Sequence, residues 1–151
     1  MAENKENFVP TPCMRIRDVS KLFGRRVRTL AEESGIPDSY RRFIMHLAHS
    51  YEDGNPGLTQ SELKDFTHLT APSVTVTLQK MERDGYITRT PDSKDARQVR
   101  VSLTEKGFET DKKVREIHKK TEQTATQGIT RQELEQFESV LKKIANNLKS
   151  E

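Results

Sequence analysis

The sequence predicts a mainly α fold with one small β-hairpin, and three observations carry that expectation. Apolar residues recur at spacings of three and four through several long stretches. Two short alternating runs, residues 86–90 and 99–103, are joined by the turn-rich segment PDSKDAR. Two helix-start signals, Thr59-Gln60-Ser61-Glu62 and Thr70-Ala71-Pro72, follow each other closely just before that hairpin.

Composition narrows the class. Of 151 residues, 32% are hydrophobic and 32% charged, a low apolar share for a monomer of this size. Long helices that bury their apolar stripe in a partner account for the imbalance. A net charge of +3 and a pI near 9.0 permit nucleic-acid binding without demanding it. The chain has no apolar run of membrane-spanning length, and residues 1–11 lack the apolar centre of a signal peptide, so a cytoplasmic protein is expected. One cysteine excludes a disulfide framework and a zinc ribbon. No nucleophile–base pair, metal cluster or glycine-rich phosphate loop is visible, so the expectation is a non-enzyme without a cofactor.

In chain order, Met1 to Pro12 reads as a loose polar arm. A helix begins near Cys13, with Ile16, Val19, Phe23, Val27 and Leu30 as its apolar stripe and Leu22 widening it. Arg15, Arg17, Lys21, Arg25, Arg26 and Arg28 crowd the remainder, either paired with acids on neighbouring helices or steering a polyanion. Gly35 and Pro37 break the chain, and Asp38 is expected to cap a second helix reaching Tyr51, with Phe43, Ile44, Leu47 and Ala48 inward. Gly54-Asn55-Pro56-Gly57 ends it.

Thr59 and Glu62 form a capping box for a short helix whose apolar positions are Leu63 and Phe66. Thr70 caps the next helix, with Pro72 tolerated in its first turn. Val74, Leu78 and Met81 make the inward face. The outward face presents Pro72, Ser73, Thr75, Val76, Gln79, Lys80 and Arg83, short side chains first and cations last, as suits close approach to base edges and phosphates. Gly85 supplies the positive φ that stops the helix. Val99, Val101 and Leu103 alternate with polar neighbours as in a strand buried on one face. Lys94 and Arg97 sit at the hairpin tip, where a cation can enter a minor groove, and Asp95 is placed to hold the arginine or the loop backbone.

A long charged helix, about Thr104 to Gln127, carries Phe108, Val114 and Ile117. Gly128 closes it, and Thr130-Arg131-Gln132-Glu133 is a second capping box. In the last helix Leu134, Phe137, Leu141, Ile144 and Leu148 form a seam for a partner helix, broadened by Val140 and Ala145.

Three short motifs, MERDG at 81–85, DAR at 95–97 and LTEKG at 103–107, stand at the right distances from one another. Through them the segment resembles the MarR family of bacterial transcription regulators. The resemblance implies a winged helix-turn-helix lobe (36–103), an N-terminal arm and dimerisation helix (1–35) and C-terminal dimerisation helices (104–151), with Leu58 adding a third short strand beside the wing. It implies a homodimer on a pseudo-palindromic double-stranded DNA operator, acting as a repressor released by a small-molecule inducer. The DNA-binding set it points to is Thr70, Pro72, Ser73, Thr75, Val76, Gln79, Lys80, Arg83, Lys94, Asp95 and Arg97. Many relatives carry an arginine where this chain has Val76, so an A·T-rich half-site read through thymine methyls is expected.

For the inducer, the resemblance suggests a small aromatic or phenolic ligand in the crevice near Tyr40, Phe43, His46 and Phe66. Two alternatives stay open: a peroxide- or thiol-responsive regulator switched through Cys13, and an architectural protein binding DNA without sequence preference. His46, His49 and His118 lack supporting carboxylate spacing, and no metal site is assigned.

Overall fold

The computed structural model describes residues 8–149. Six helices run in the order α1 (Pro12–Glu33), α2 (Asp38–Glu52), α3 (Gln60–Thr67), α4 (Ala71–Arg83), α5 (Glu105–Ala125) and α6 (Arg131–Lys149). Three strands, β1 (Leu58–Thr59), β2 (Ile87–Pro91) and β3 (Val99–Leu103), form an antiparallel sheet of order β1-β3-β2. Leu58 pairs with Val101, and Ile87 with Leu103. The arm through residue 7 lies outside the described residues.

The start signals act as expected, with two corrections. Thr59 accepts from the Glu62 N–H at 3.2 Å while the Glu62 carboxylate accepts from the Thr59 N–H at 2.7 Å, a complete capping box. Thr130 and Glu133 repeat it ahead of α6. Pro12, however, belongs to α1 rather than to the arm: Thr11 is the cap, and a proline is tolerated where the N–H has no helical partner. Asp38 does not cap α2 either. Pro37 holds that position without a side-chain bond, and Asp38, already helical, pairs with Arg41 at 3.0 Å and Arg28 at 3.5 Å. A carboxylate in the first turn still faces the favourable end of the helix dipole.

Tyr40, Phe43, Ile44, Leu47, Leu58, Leu63, Val74, Leu78, Met81, Ile87 and Val101 form the main core, which welds α2, α3, α4 and the sheet into one lobe. A second, smaller core of Val27, Ala31, Ile36, Val114 and Ile117 joins α1 and the turn after it to α5, with Met45 of α2 packed against it. Gly107 shows why LTEKG ends in glycine: a Cβ there would collide with the Tyr86 carbonyl and lie 2.8 Å from the Leu103 side chain. Glycine lets α5 leave the sheet in contact with the turn that follows α4.

Three inward expectations fail locally. Phe66 is half exposed and stacks on His46 with ring centroids 5.3 Å apart, while Thr67 is buried in its stead. Thr67 satisfies its hydroxyl on the Leu63 carbonyl at 2.7 Å, so a polar residue takes the inward site four positions after Leu63. On β3 only Val101 is fully enclosed. Val99 pairs with Pro91 beyond the lobe's core and is 36% exposed, and Leu103 is half-buried. The stripe on α1 is enclosed only towards its C-terminal end, at Val27 and Ala31, leaving Val19 and Leu22 exposed.

No residue of α6 is buried, and Phe137, Val140 and Leu148 lie open to solvent. Ile16, Val19 and Phe23 of α1 face Phe137, Val140, Leu141 and Ile144 of α6 across an open apolar trough of about 630 Å³. The apolar seam of α6 is therefore left uncovered on an otherwise charged helix. Arg28 bridges to Asp38 on α2 and Arg17 pairs with Asp18, so two of the six α1 cations are tied to acids.

Candidate nucleic-acid interface

Helix α4 is placed by its inward face, with Val74, Leu78 and Met81 at 0% exposure. Its outward residues Pro72, Ser73, Val76, Gln79, Lys80 and Arg83 are exposed, and Thr75 is half-buried. Thr70 accepts from the Ser73 N–H at 3.4 Å and gives its own hydroxyl hydrogen to the Ser73 Oγ at 2.8 Å. The Thr75 hydroxyl is likewise committed: it donates to the Ala71 carbonyl at 3.0 Å and accepts from the Gln60 amide at 2.6 Å. What Thr75 leaves for a ligand is its methyl group. With Val76 alongside, half exposed, the N-terminal half of this face offers two methyl-bearing side chains beside the exposed Ser73 hydroxyl.

At the other end of α4, Asp84 gathers three elements. Its carboxylate accepts from the Tyr40 hydroxyl of α2 at 2.7 Å and from Arg83 at 3.0 Å, and its carbonyl accepts from Lys106 of α5 at 2.7 Å. The hydrogen bond from Tyr40, followed by that from Arg83, lowers the Asp84 pKa, while burial first and Asp84 second push the Tyr40 hydroxyl up to about 12. Arg89 of β2 ties the wing base to α4 through Glu82 at 2.6 Å.

The wing is anchored by residues that sequence reasoning passed over. Asp92, with its side chain only 5% exposed, accepts from the backbone N–H groups of Lys94 and Asp95 at 2.8 and 3.0 Å and from two guanidinium nitrogens of Arg100 at 2.7 Å. The Lys94 N–H, then Arg100, depress the Asp92 pKa. Arg100 reaches on to the Asn55 side chain at 3.0 Å and the Gly57 carbonyl at 2.6 Å, bolting the hairpin to the loop before β1. Asp95 holds the Arg97 backbone N–H at 3.0 Å, so it fixes the loop and not the guanidinium. Lys94, Asp95 and Arg97 are all exposed at the tip.

Between α3, α4 and the wing lies a concavity of about 460 Å³ lined by Gln60, Ser61, Lys64, Ala71, Arg97 and Gln98, among others. The structure therefore sets the α4 N-terminus and Arg97 on one recessed surface, with Gln60 and Lys64 of α3 as additional polar groups. Neither stood out in the sequence, because α3 has only two turns and its polar positions carry no periodic signal.

Known proteins share this fold. The model of the MarR family matches residues 34–98. The HTH-type transcriptional regulator YybA of Bacillus subtilis (strain 168), itself uncharacterized, is 25% identical over 137 residues, covering 88% of this chain and 90% of its own. A point variant of S. aureus MepR superimposes with a TM-score of 0.77 at 25% identity, covering 93% of this chain and all of the other. This chain is similar to MarR-family transcription regulators. A second MepR variant, bound to an oligodeoxyribonucleotide, is 25% identical with a TM-score of 0.63 over 93% of this chain and all of that one. The MarR motifs have distinct jobs here: MERDG ends α4 and starts the turn, DAR caps the wing loop, and LTEKG lets α5 depart. As members of a family of transcription factors, such proteins are not enzymes.

The remaining expected residues fall elsewhere. Tyr40 and Phe43 are packed in the lobe's core, whereas His46 and Phe66 meet at its surface. Burial first, then Arg42, lowers the His46 pKa. Cys13 is exposed in the first turn of α1. Among the described residues no group of three or more His, Cys, Asp and Glu side chains is placed to hold a metal, and no helix is long and apolar enough to cross a membrane.

Proposed function

We propose that the chain is a cytoplasmic homodimeric repressor that binds a pseudo-palindromic operator and is released by a small ligand. One observation carries the reading: Arg97 of the wing and Ala71 at the N-terminus of α4 line a single concavity, and the wing loop that carries Arg97 is anchored by the Asp92–Arg100 pair. Residues 36–103 act as the DNA-binding lobe. Residues 1–35 and 104–151 pair the two copies through the open seam on α1 and α6.

Pairing places two α4 helices on successive major-groove turns, about 34 Å apart, while each wing sets Arg97 into the adjoining minor groove. Ser73, Thr75, Val76 and Gln79 face bases; Thr70, Lys80, Arg83 and Lys94 face phosphates. Because the Thr75 hydroxyl is occupied internally, Thr75 and Val76 offer methyl groups, which favours thymine and an A·T-rich half-site. The MepR variant bound to an oligodeoxyribonucleotide supports DNA as the partner.

Selection of duplexes from a random pool, followed by footprinting on the promoter of the adjacent gene, tests the reading. A symmetric A·T-rich site with protection over two successive turns is expected. A steep salt dependence with equal affinity for random DNA would instead mean an architectural protein.

A further inference from the structure

Gln60 opens α3, and the chain on either side fixes it there. Thr59 ends β1, caps the helix and closes the capping box with Glu62. From this position the Gln60 side chain crosses to α4, 15 residues on, and donates to the Thr75 hydroxyl oxygen at 2.6 Å. The one hydrogen of that hydroxyl goes to the Ala71 carbonyl at 3.0 Å, so the Gln60 group facing it must be the NH2 and not the carbonyl. Gln60 itself is half-buried and lines the concavity that Arg97 borders.

The bond decides something that α4 leaves open. A threonine within a helix divides between two rotamers, because its hydroxyl can bond a carbonyl of the preceding turn, and the two send the methyl in different directions. The bond to Ala71 alone does not choose between them; a second partner on α3 does. The choice matters on a face that reads bases. A hydroxyl turned to the groove serves either base pair, whereas a methyl packs on the methyl of thymine.

We propose that Gln60 is a positioning residue for base reading: by holding the Thr75 hydroxyl toward α3 it leaves the Thr75 methyl as the group that meets DNA, and so restricts one pair of each half-site to thymine. This role rests on the DNA-binding reading above and names the residue that sets its selectivity at that pair. Loss of the Gln60 donor relaxes selectivity there, and only there.

The test titrates full-length protein, at fixed salt, against the operator that wild type selects and against each of its single-pair substitutions. Thr75→Ala marks the pair in question as the one where discrimination disappears. At that pair wild type should prefer thymine by at least about fivefold, and Gln60→Met, which keeps the length and removes the donor, should bring the preference below about twofold while other positions keep theirs. Valine at 75 has methyls in both directions and no hydroxyl to turn, so the double variant Gln60→Met/Thr75→Val should recover the wild-type preference. A Gln60 that contacted DNA directly would not be rescued in this way. Three-bond couplings to the Thr75 methyl carbon, measured by NMR without DNA, should report one rotamer in wild type and a mixture in Gln60→Met. Full thymine preference or a single rotamer in a folded Gln60→Met protein, or a double variant as relaxed as Gln60→Met, would overturn the proposal and leave the operator reading standing. Averaged Thr75 rotamers in wild type would overturn it whether or not the variants fold. Equal binding of every duplex by wild type would overturn the operator reading, and the selectivity assigned to Gln60 with it.

Discussion

Replacing Arg100 by alanine separates the wing's anchor from its tip. The side chain makes two bonds to Asp92 and one each to Asn55 and the Gly57 carbonyl, at 2.6–3.0 Å, while 27% exposed. A hydrogen bond contributes a net of about 1 kcal/mol, and water reaching a quarter of this side chain weakens the set, so the substitution should cost about 2 kcal/mol of folding stability. That loss is readable as a lowered urea midpoint at unchanged slope. The effect on DNA is bounded differently. Arg100 lies behind the wing and acts by holding the loop that carries Arg97, so its contribution to operator affinity cannot exceed what Arg97 itself supplies, on the order of 1–3 kcal/mol. A double-mutant cycle measured by operator titration at fixed salt decides the matter. Arg100→Ala should weaken binding in the wild-type background and do almost nothing once Arg97 is alanine. Additive losses would refute the reasoning, because Arg100 would then contribute to DNA binding independently of Arg97.

Two further outcomes follow. The pKa values of Asp84 and Asp92 are both depressed in the folded protein, so each contributes stability that is present above the ordinary carboxylate pKa and lost as pH falls through the folded value. Acid unfolding followed by circular dichroism should therefore steepen below that ordinary value, and Asp92→Asn should flatten this limb while leaving Asp84's share. Phe137→Glu places a charge in the middle of the α6 seam. Sedimentation should report a monomer, and operator affinity should fall because only one half-site can be held at a time; a stable dimer would remove α6 from the interface.

Much of this architecture was legible because local chemistry and global packing agree in it. Thr59 with Glu62, Thr130 with Glu133 and Thr70 with Pro72 each mark a helix start through the backbone N–H groups they satisfy or spare, and the structure uses all three. The periodic residues Val74, Leu78 and Met81 needed no tertiary knowledge. Phe66 misled because hydrophobicity alone does not reveal that a threonine can bury itself on a helical carbonyl. Asp38 misled because Pro37 sat one residue ahead and took the cap position. Asp92 and Arg100 were illegible for another reason. Their meaning lies in a contact across the hairpin and a second to Asn55, 45 positions away in the chain, and neither spacing follows a helical or strand period.

Titration of the selected operator with wild-type and Arg97→Ala protein, repeated at several salt concentrations, tests the DNA-binding account most directly. The account predicts a loss of roughly 5- to 150-fold at fixed salt, with the dimer intact. An Arg97→Ala protein that folds, dimerises and binds the operator as tightly as wild type would contradict it.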